Sequence, residues 1–494
     1  MCESCFNGPI SRRGFIAASG TIGALGLLPA PLFAAAAATT AASSVPPRKK
    51  DPARIKVVFL YPPAQVVEAG ENEDSWAKNH WFTWPGNQFR PEEQQQLFTR
   101  KIAALAERTG VTVDFAPQAL YQQARVREFI ATTKAGGFDA VLVVNFWNTF
   151  ASWSHQIASE AAPTAIVYQP VGSNHQLPPA DLRNAEGMFY IHSIENWDEI
   201  QRGLQAVHAR KMLAQSRLLR VMAAPGERRA ETKFGVDVVS VDAAEFNAMF
   251  DAVQADEALV REAMAFKQAA AGVAGVTDAF FIEAMRSHRA VGQIMARHGA
   301  DAITIQCLML EHRKPCLSFS INNGAQVPCG CESDFNATLT LLLGRLLLDR
   351  AGFQHNPDFD TSRNQYFASH CTCATKLNGP AGPAQTYQVR PFFHQLPKTA
   401  ALDVQWSPGA PVAVVKYNAG DDTINCWTGK VVGSPASPPT GGCATRVLVD
   451  IDKVEDVCEI YSGPHPVLFS ADRNLARRIK VFAKMFRLKL VGNI

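Results

Sequence analysis

Short apolar runs alternate with amphipathic stretches along the first two thirds of the chain. Residues 55–61 (IKVVFLY), 140–145 (AVLVVN) and 164–170 (TAIVYQP) are brief, bounded by polar or turn residues and rich in Val and Ile, as buried parallel strands are. Between the first two, Phe98, Ile102 and Leu105 fall on one face of a helix that should stop at Gly110. The loop QPVGSNHQLPPADLRN interrupts this series and a second one follows. A helix over 200–215 leads to the strands LLRVMAA and VDVVSVD. A helix over 278–298 then carries the stripe Phe281, Ala284, Met285, His288, Val291 and Met295, and the strand AITIQC comes next. Strand–helix alternation repeated in two blocks predicts two successive doubly wound α/β domains. After about residue 378 the pattern changes to PVAVVKYN, GKVVG and RVLVDID, separated by turn clusters such as GSPASPPTGG, which predicts a β-rich C-terminal domain. A basic amphipathic helix over 474–487 should close it, with its Lys/Arg face solvated.

The N-terminus modifies this picture. Ser11-Arg12-Arg13-Gly14-Phe15-Ile16 precedes an Ala- and Gly-rich apolar run with small residues near 34–36, the pattern of a twin-arginine export signal. The run is short and broken by Pro29 and Pro31, which argues against a membrane anchor, and no later stretch is long and apolar enough to span a bilayer. Residues 1–50 are therefore read as signal peptide and linker, 51–190 and 191–325 as the two α/β domains, and 326–494 as the C-terminal domain. The expected location is the periplasm, or another compartment reached by export through the twin-arginine translocon, where disulfides are allowed. Of 11 cysteines, Cys2 and Cys5 lie in the leader, leaving an odd number in the mature chain.

Composition changes little. A hydrophobic content of 47%, 19% charged residues and a formal charge of +3 are those of an ordinary globular protein. No basic run interleaved with aromatics points to nucleic acid. Fingerprints for dinucleotides, nucleotides, zincins, α/β-hydrolases and c-type haem are missing from the sequence.

Carboxylate and histidine chemistry remains. In PCGCESDFNATLTLLLGRLLLD, Leu339, Leu342, Leu343, Leu346 and Leu347 form a helical stripe, and Ser333 or Asp334 stands at its start. The simpler account makes Asp334 a cap and leaves Glu332 solvated. The alternative has both carboxylates at the mouth of a site, where oxygen ligands suit Mn²⁺ or Mg²⁺ and one imidazole favours Mn²⁺. Cys329-Gly-Cys331 and Cys371-Thr-Cys373 read as disulfides bracing nearby loops, or as a thiolate site that would favour Zn²⁺.

ITIQC, then PCGCESD-FNATLTLLL, then His370-Cys371, then GCATRVLVDID and SGPHPVLFSAD, resemble the L-fucose/L-arabinose isomerase-like superfamily over nearly the whole mature chain. The resemblance implies two α/β domains followed by a β-rich one. It also implies interconversion of an aldose and a ketose on a divalent metal, usually Mn²⁺, held by two carboxylates and a histidine. Carried over, Asp334 matches one metal carboxylate and His465 the metal histidine. The second carboxylate falls to Glu311 or Glu332, and His370 resembles a site histidine. Moving a carbonyl from C1 to C2 needs a base to shuttle a proton and a Lewis acid to stabilise an enediolate, so Glu311 or Glu332 is the expected base. Trp81, Trp84, Trp147 and Trp153 are candidate sugar-stacking faces. The expected partners are a small sugar and further copies of the chain in a homo-oligomer. An exported carbohydrate-binding protein and a metal-dependent lyase are the alternatives.

Overall fold

The computed structural model describes residues 50–71, 90–171, 180–221, 228–231, 233–393, 396–435 and 442–494. The expected leader, Trp81 and Trp84 lie outside the described residues.

The first sheet forms as the apolar runs foretell. Strand β1 (Ala53–Leu60) leads to helix α1 (Pro91–Thr109), β2 (Val111–Phe115), α2 (Gln123–Ala135), β3 (Ala140–Asn145), α3 (Ala151–Glu160), β4 (Ala165–Pro170) and β5 (Met188–Ser193). They pair in the order β2-β1-β3-β4-β5, all parallel. Every residue of β3 is buried, since helices cover both faces of a parallel sheet. Helix α1 places Pro91 in its first turn and ends on Gly110, whose φ of 69° is the left-handed conformation a glycine cap adopts without strain.

The second sheet lies within the elements α4 (Trp197–Ala214), β6 (Arg217–Val221), β7 (Arg228–Glu231), β8 (Val236–Val241), α5 (Ala243–Ala252), α6 (Glu257–Gln268), β9 (Gly272–Val273, which pairs elsewhere), α7 (Asp278–His298), β10 (Ala302–Ile305), α8 (Cys316–Gly324) and β11 (Cys329–Cys331). Its order is β11-β10-β6-β8-β7, parallel except for the β7–β8 pair. The sheets overrun the sequence boundaries at 190 and 325, because β5 continues to Ser193 and Cys329–Cys331 forms the edge of the second sheet.

Helix α9 (Phe335–Leu343) follows and widens into a π-turn over Gly344–Leu348. The remainder is β-rich: β12 (Gly352–Gln354), β13 (Asn356–Asp360), β14 (Gln365–His370), β15 (Tyr387–Phe392), β16 (Leu396–Val404), β17 (Pro411–Asn418), β18 (Thr423–Gly433), β19 (Thr445–Ile451) and β20 (Val467–Ser470). Helix α10 (Leu475–Met485) and β21 (Lys489–Gly492) complete it. The main sheet runs β12-β20-β17-β18-β19-β14-β13 with antiparallel neighbours, and β21 adds to β18. A small sheet, β16-β15-β9, has no counterpart in the sequence reading. The architecture is thus two α/β layers with parallel sheets and a C-terminal antiparallel region, as the patterning predicts.

Candidate metal centre

Three ligating side chains converge from distant parts of the chain. Glu332 follows β11, His370 ends β14, and His465 stands in the turn before β20. One ligating atom from each lies within 4.8 Å of the others, and this is the one such group of three or more found among the described residues.

The backbone around Glu332 is fixed on every side. Strand β11 is held by Asn323, whose amide oxygen accepts from the Cys329 N–H (2.9 Å) and whose amide group donates to the Cys329 carbonyl (3.0 Å). Gln354 does the same at Cys331, at 2.8 and 3.2 Å. Only glycine fits between these clamps, because a Cβ at Gly330 would stand 2.0 Å from Thr338 Oγ1. Past the strand, Glu332 and Ser333 adopt φ of 60° and 56°, and His465 adopts 51°. Non-glycine residues held in this region cost about 1 kcal/mol or more each, and such strain collects where side chains must be aimed.

Asp334 serves two groups at once. Its Oδ1 caps α9 by accepting from the Ala337 N–H (2.8 Å), and its Oδ2 accepts from His465 Nδ1 (2.9 Å). With Nδ1 committed to a carboxylate, Nε2 of His465 is turned toward Glu332 Oε2 at 3.3 Å, the orientation required of a metal-binding imidazole. His370 is oriented in a similar way. Thr372 Oγ1 lies 3.4 Å from its Nδ1, while its buried Nε2 stands 3.5 Å from Glu332 Oε1 and has no hydrogen-bond partner of its own. A buried ring nitrogen aimed at a carboxylate without a hydrogen bond of its own has the placement of a metal ligand.

The electrostatics follow from this packing. The imidazoles of His370 and His465 hold the Glu332 carboxyl well below the usual carboxylate range. Burial opposes a charge on His465, but its bonds to Asp334 and Glu332 outweigh burial and raise it to about 9. Behind them His355 is pushed down to about 3 by burial. Its neutral ring donates from Nδ1 to the Phe353 carbonyl (3.0 Å) and accepts at Nε2 from the Tyr366 hydroxyl (2.6 Å). Lys416, also buried, donates to the Pro464 carbonyl and so secures the turn bearing His465.

Glu332 and His370 face a cavity of about 140 Å³. The rest of its wall is mostly apolar, with Leu308, Phe392 and Phe393 beside five cysteine side chains. That volume is below the range of about 300–1,000 Å³ typical of pockets for drug-sized ligands.

Several sequence candidates meet here and others do not. Glu332, His370, His465 and Asp334 come together, with Asp334 acting on His465 rather than joining the converging three. The side chain of Glu311 is 80% exposed and lies 4.0 Å from Arg313, outside this group. At that segment it is Cys307, not an acid, that lines the cavity. Trp147 is buried in the core beside Phe150, and Trp153 stacks on Phe150 at 4.2 Å, so neither faces the cavity. The nine cysteines from Cys307 onward are all free thiols in this structure. Cys307 and Cys443 fall in segments that carry the resemblance, yet nothing local marks them or Cys316 as lining a site. No protein-family model matches the chain, and no curated protein matches it.

Proposed function

We propose that the chain is a metal-dependent enzyme that interconverts a small aldose and ketose, with Glu332, His370 and His465 as the ligands of one divalent cation. The single observation that carries this reading is the convergence of those three side chains beside a cavity, with Asp334 orienting one of them. One carboxylate and two imidazoles form a borderline donor set, which favours Mn²⁺, Fe²⁺ or Zn²⁺ over Mg²⁺; Mn²⁺ is the choice that the family resemblance adds. A bound cation would supply Lewis-acid stabilisation of the negative charge that develops on an enediolate.

The chain's own residues account for the rest. Asp334 fixes the His465 tautomer, and Thr372 lies beside Nδ1 of His370. Glu332 is the carboxylate at the cavity while Glu311 is exposed outside the group, so of the two expected bases the proton-shuttle role falls to Glu332. The small, largely apolar cavity favours a substrate shorter and less hydroxylated than a hexose, since few polar groups are present to pair with hydroxyls.

The test is metal analysis of the purified protein together with solvent deuterium incorporation at C1 and C2 of short aldoses and ketoses. Stoichiometric metal and exchange are expected in the wild type, both lost in Glu332→Gln and both retained in Glu311→Gln. Absence of stoichiometric metal sinks the proposal, and bound metal without exchange on any such substrate removes the isomerase reading.

A further inference from the structure

Of the five thiols in the cavity wall, four fall into two pairs. All four line the same cavity, where Cys307 meets Cys331 and Cys371 meets Cys443, with Cys316 packed beside the second pair. Strand register explains both meetings. Ile305 of β10 is the partner of Cys331 in β11, and Cys307 lies just beyond Ile305. His370 of β14 is the partner of Thr445 in β19, and Cys371 and Cys443 lie just beyond that pair.

From this arrangement we infer that the cavity is a site of reversible thiol oxidation, closing disulfides Cys307–Cys331 and Cys371–Cys443. These are not the bridges that the two Cys-X-Cys motifs suggest. In an extended strand, residues two apart put their Cβ atoms about 6–7 Å from each other, beyond the roughly 3.5–4.5 Å that a disulfide allows, so Cys329 cannot reach Cys331. Cys373 does not line the cavity, and its thiol lies 3.5 Å from the Ala374 carbonyl.

Each bridge has a definite place in the site. Cys331 immediately precedes Glu332, and Cys371 immediately follows His370. Closing the first ties the end of β11 to the segment after β10. Closing the second ties the end of β14 to the start of β19. Two of the three ligand-bearing turns would then be covalently braced from within the cavity.

The oxidant is a small peroxide able to enter a space of this size. Hydrogen peroxide oxidises one thiolate of a pair to a sulfenic acid, releasing hydroxide. The second thiol attacks that sulfur, forms the S–S bond and expels the hydroxyl oxygen as water. Per pair, two thiols lose two electrons and two protons, and one peroxide becomes two waters.

The experiment treats the full chain with hydrogen peroxide, alkylates the remaining thiols under denaturing conditions and maps cross-links by tandem mass spectrometry. The readout needs no metal, so it stands apart from the isomerase reading. Peptides joined through Cys307–Cys331 and Cys371–Cys443 are expected, with Cys316, Cys329 and Cys373 alkylated. Cys331→Ser should remove only the first link, and Cys443→Ser only the second. Exposed Cys458 reports that the oxidant acted. Cross-links within either Cys-X-Cys motif, or four alkylated cavity thiols alongside an oxidised Cys458, would overturn the inference.

Discussion

Asp334 offers the sharpest test of the site, because its two oxygens have separable jobs. Asp334→Ala removes the cap on α9, a loss of about 1 kcal/mol in folding stability. It also removes the 2.9 Å bond to His465 Nδ1. A carboxylate partner of a metal-binding histidine typically contributes about 10- to 100-fold in affinity, or about 1.4–2.8 kcal/mol. Asp334→Asn retains only one carbonyl oxygen, so it must sacrifice either the cap or the bond to the imidazole. If its amide group turns toward His465, the ring is driven to the tautomer whose Nε2 carries the proton and cannot ligate. Urea unfolding and competition with a chromophoric chelator separate the two effects. The expected outcome for Asp334→Ala is both a destabilisation near 1 kcal/mol and a 10- to 100-fold weaker metal affinity. In a His465→Gln background the same change should cost only the cap. Unchanged affinity in Asp334→Ala would reduce the residue to a helix cap, and complete loss of metal, equal to that in Glu332→Gln, would make it a ligand in its own right.

Two further outcomes follow from the packing around the site. His355 titrates near 3 in the fold and about 6.5 when unfolded, so between these values the unfolded chain binds the extra proton. Its contribution is therefore complete above about pH 6.5 and is lost as the pH falls toward 3, by about 1.4 kcal/mol per pH unit; buried His288, pushed down to about 4, adds in the same direction, so in chemical denaturation His355→Gln should lessen the slope of stability between pH 7 and 4 by about that amount and leave the rest. Gly330→Ala places a methyl group 2.0 Å from Thr338 Oγ1 and must push β11 away from α9, costing about 1–3 kcal/mol in urea unfolding, and unaltered stability would contradict the close approach described here.

The elements of this protein were legible wherever burial imposes a period. The strand over 140–145 and the helix over 278–298 appear with the bounds read from the apolar pattern, since each must turn one face or both toward a core. The three-stranded sheet was not legible, because β9 is only two residues long and pairs with a strand more than a hundred positions away. The site divides along the same line. Glu332 and Asp334 stood out by chemical type and position at a helix start, and the family resemblance added His370 and His465. Their roles did not. Whether an acid caps a helix, orients an imidazole or faces a cavity depends on what stands opposite, and here the opposite groups arrive from other strands. Glu311 illustrates the limit, since the family resemblance made it a candidate while its side chain points to solvent and Cys307 takes the cavity wall. The pairing of the thiols was equally hidden, because register between β10 and β11 and between β14 and β19 brings them together, and register is a property of the assembled sheets. The sequence by itself determined which segments would be buried and which residues carried reactive groups; only the tertiary structure decided which of those groups meet, because contact across a fold is set by the packing of elements that share no local pattern.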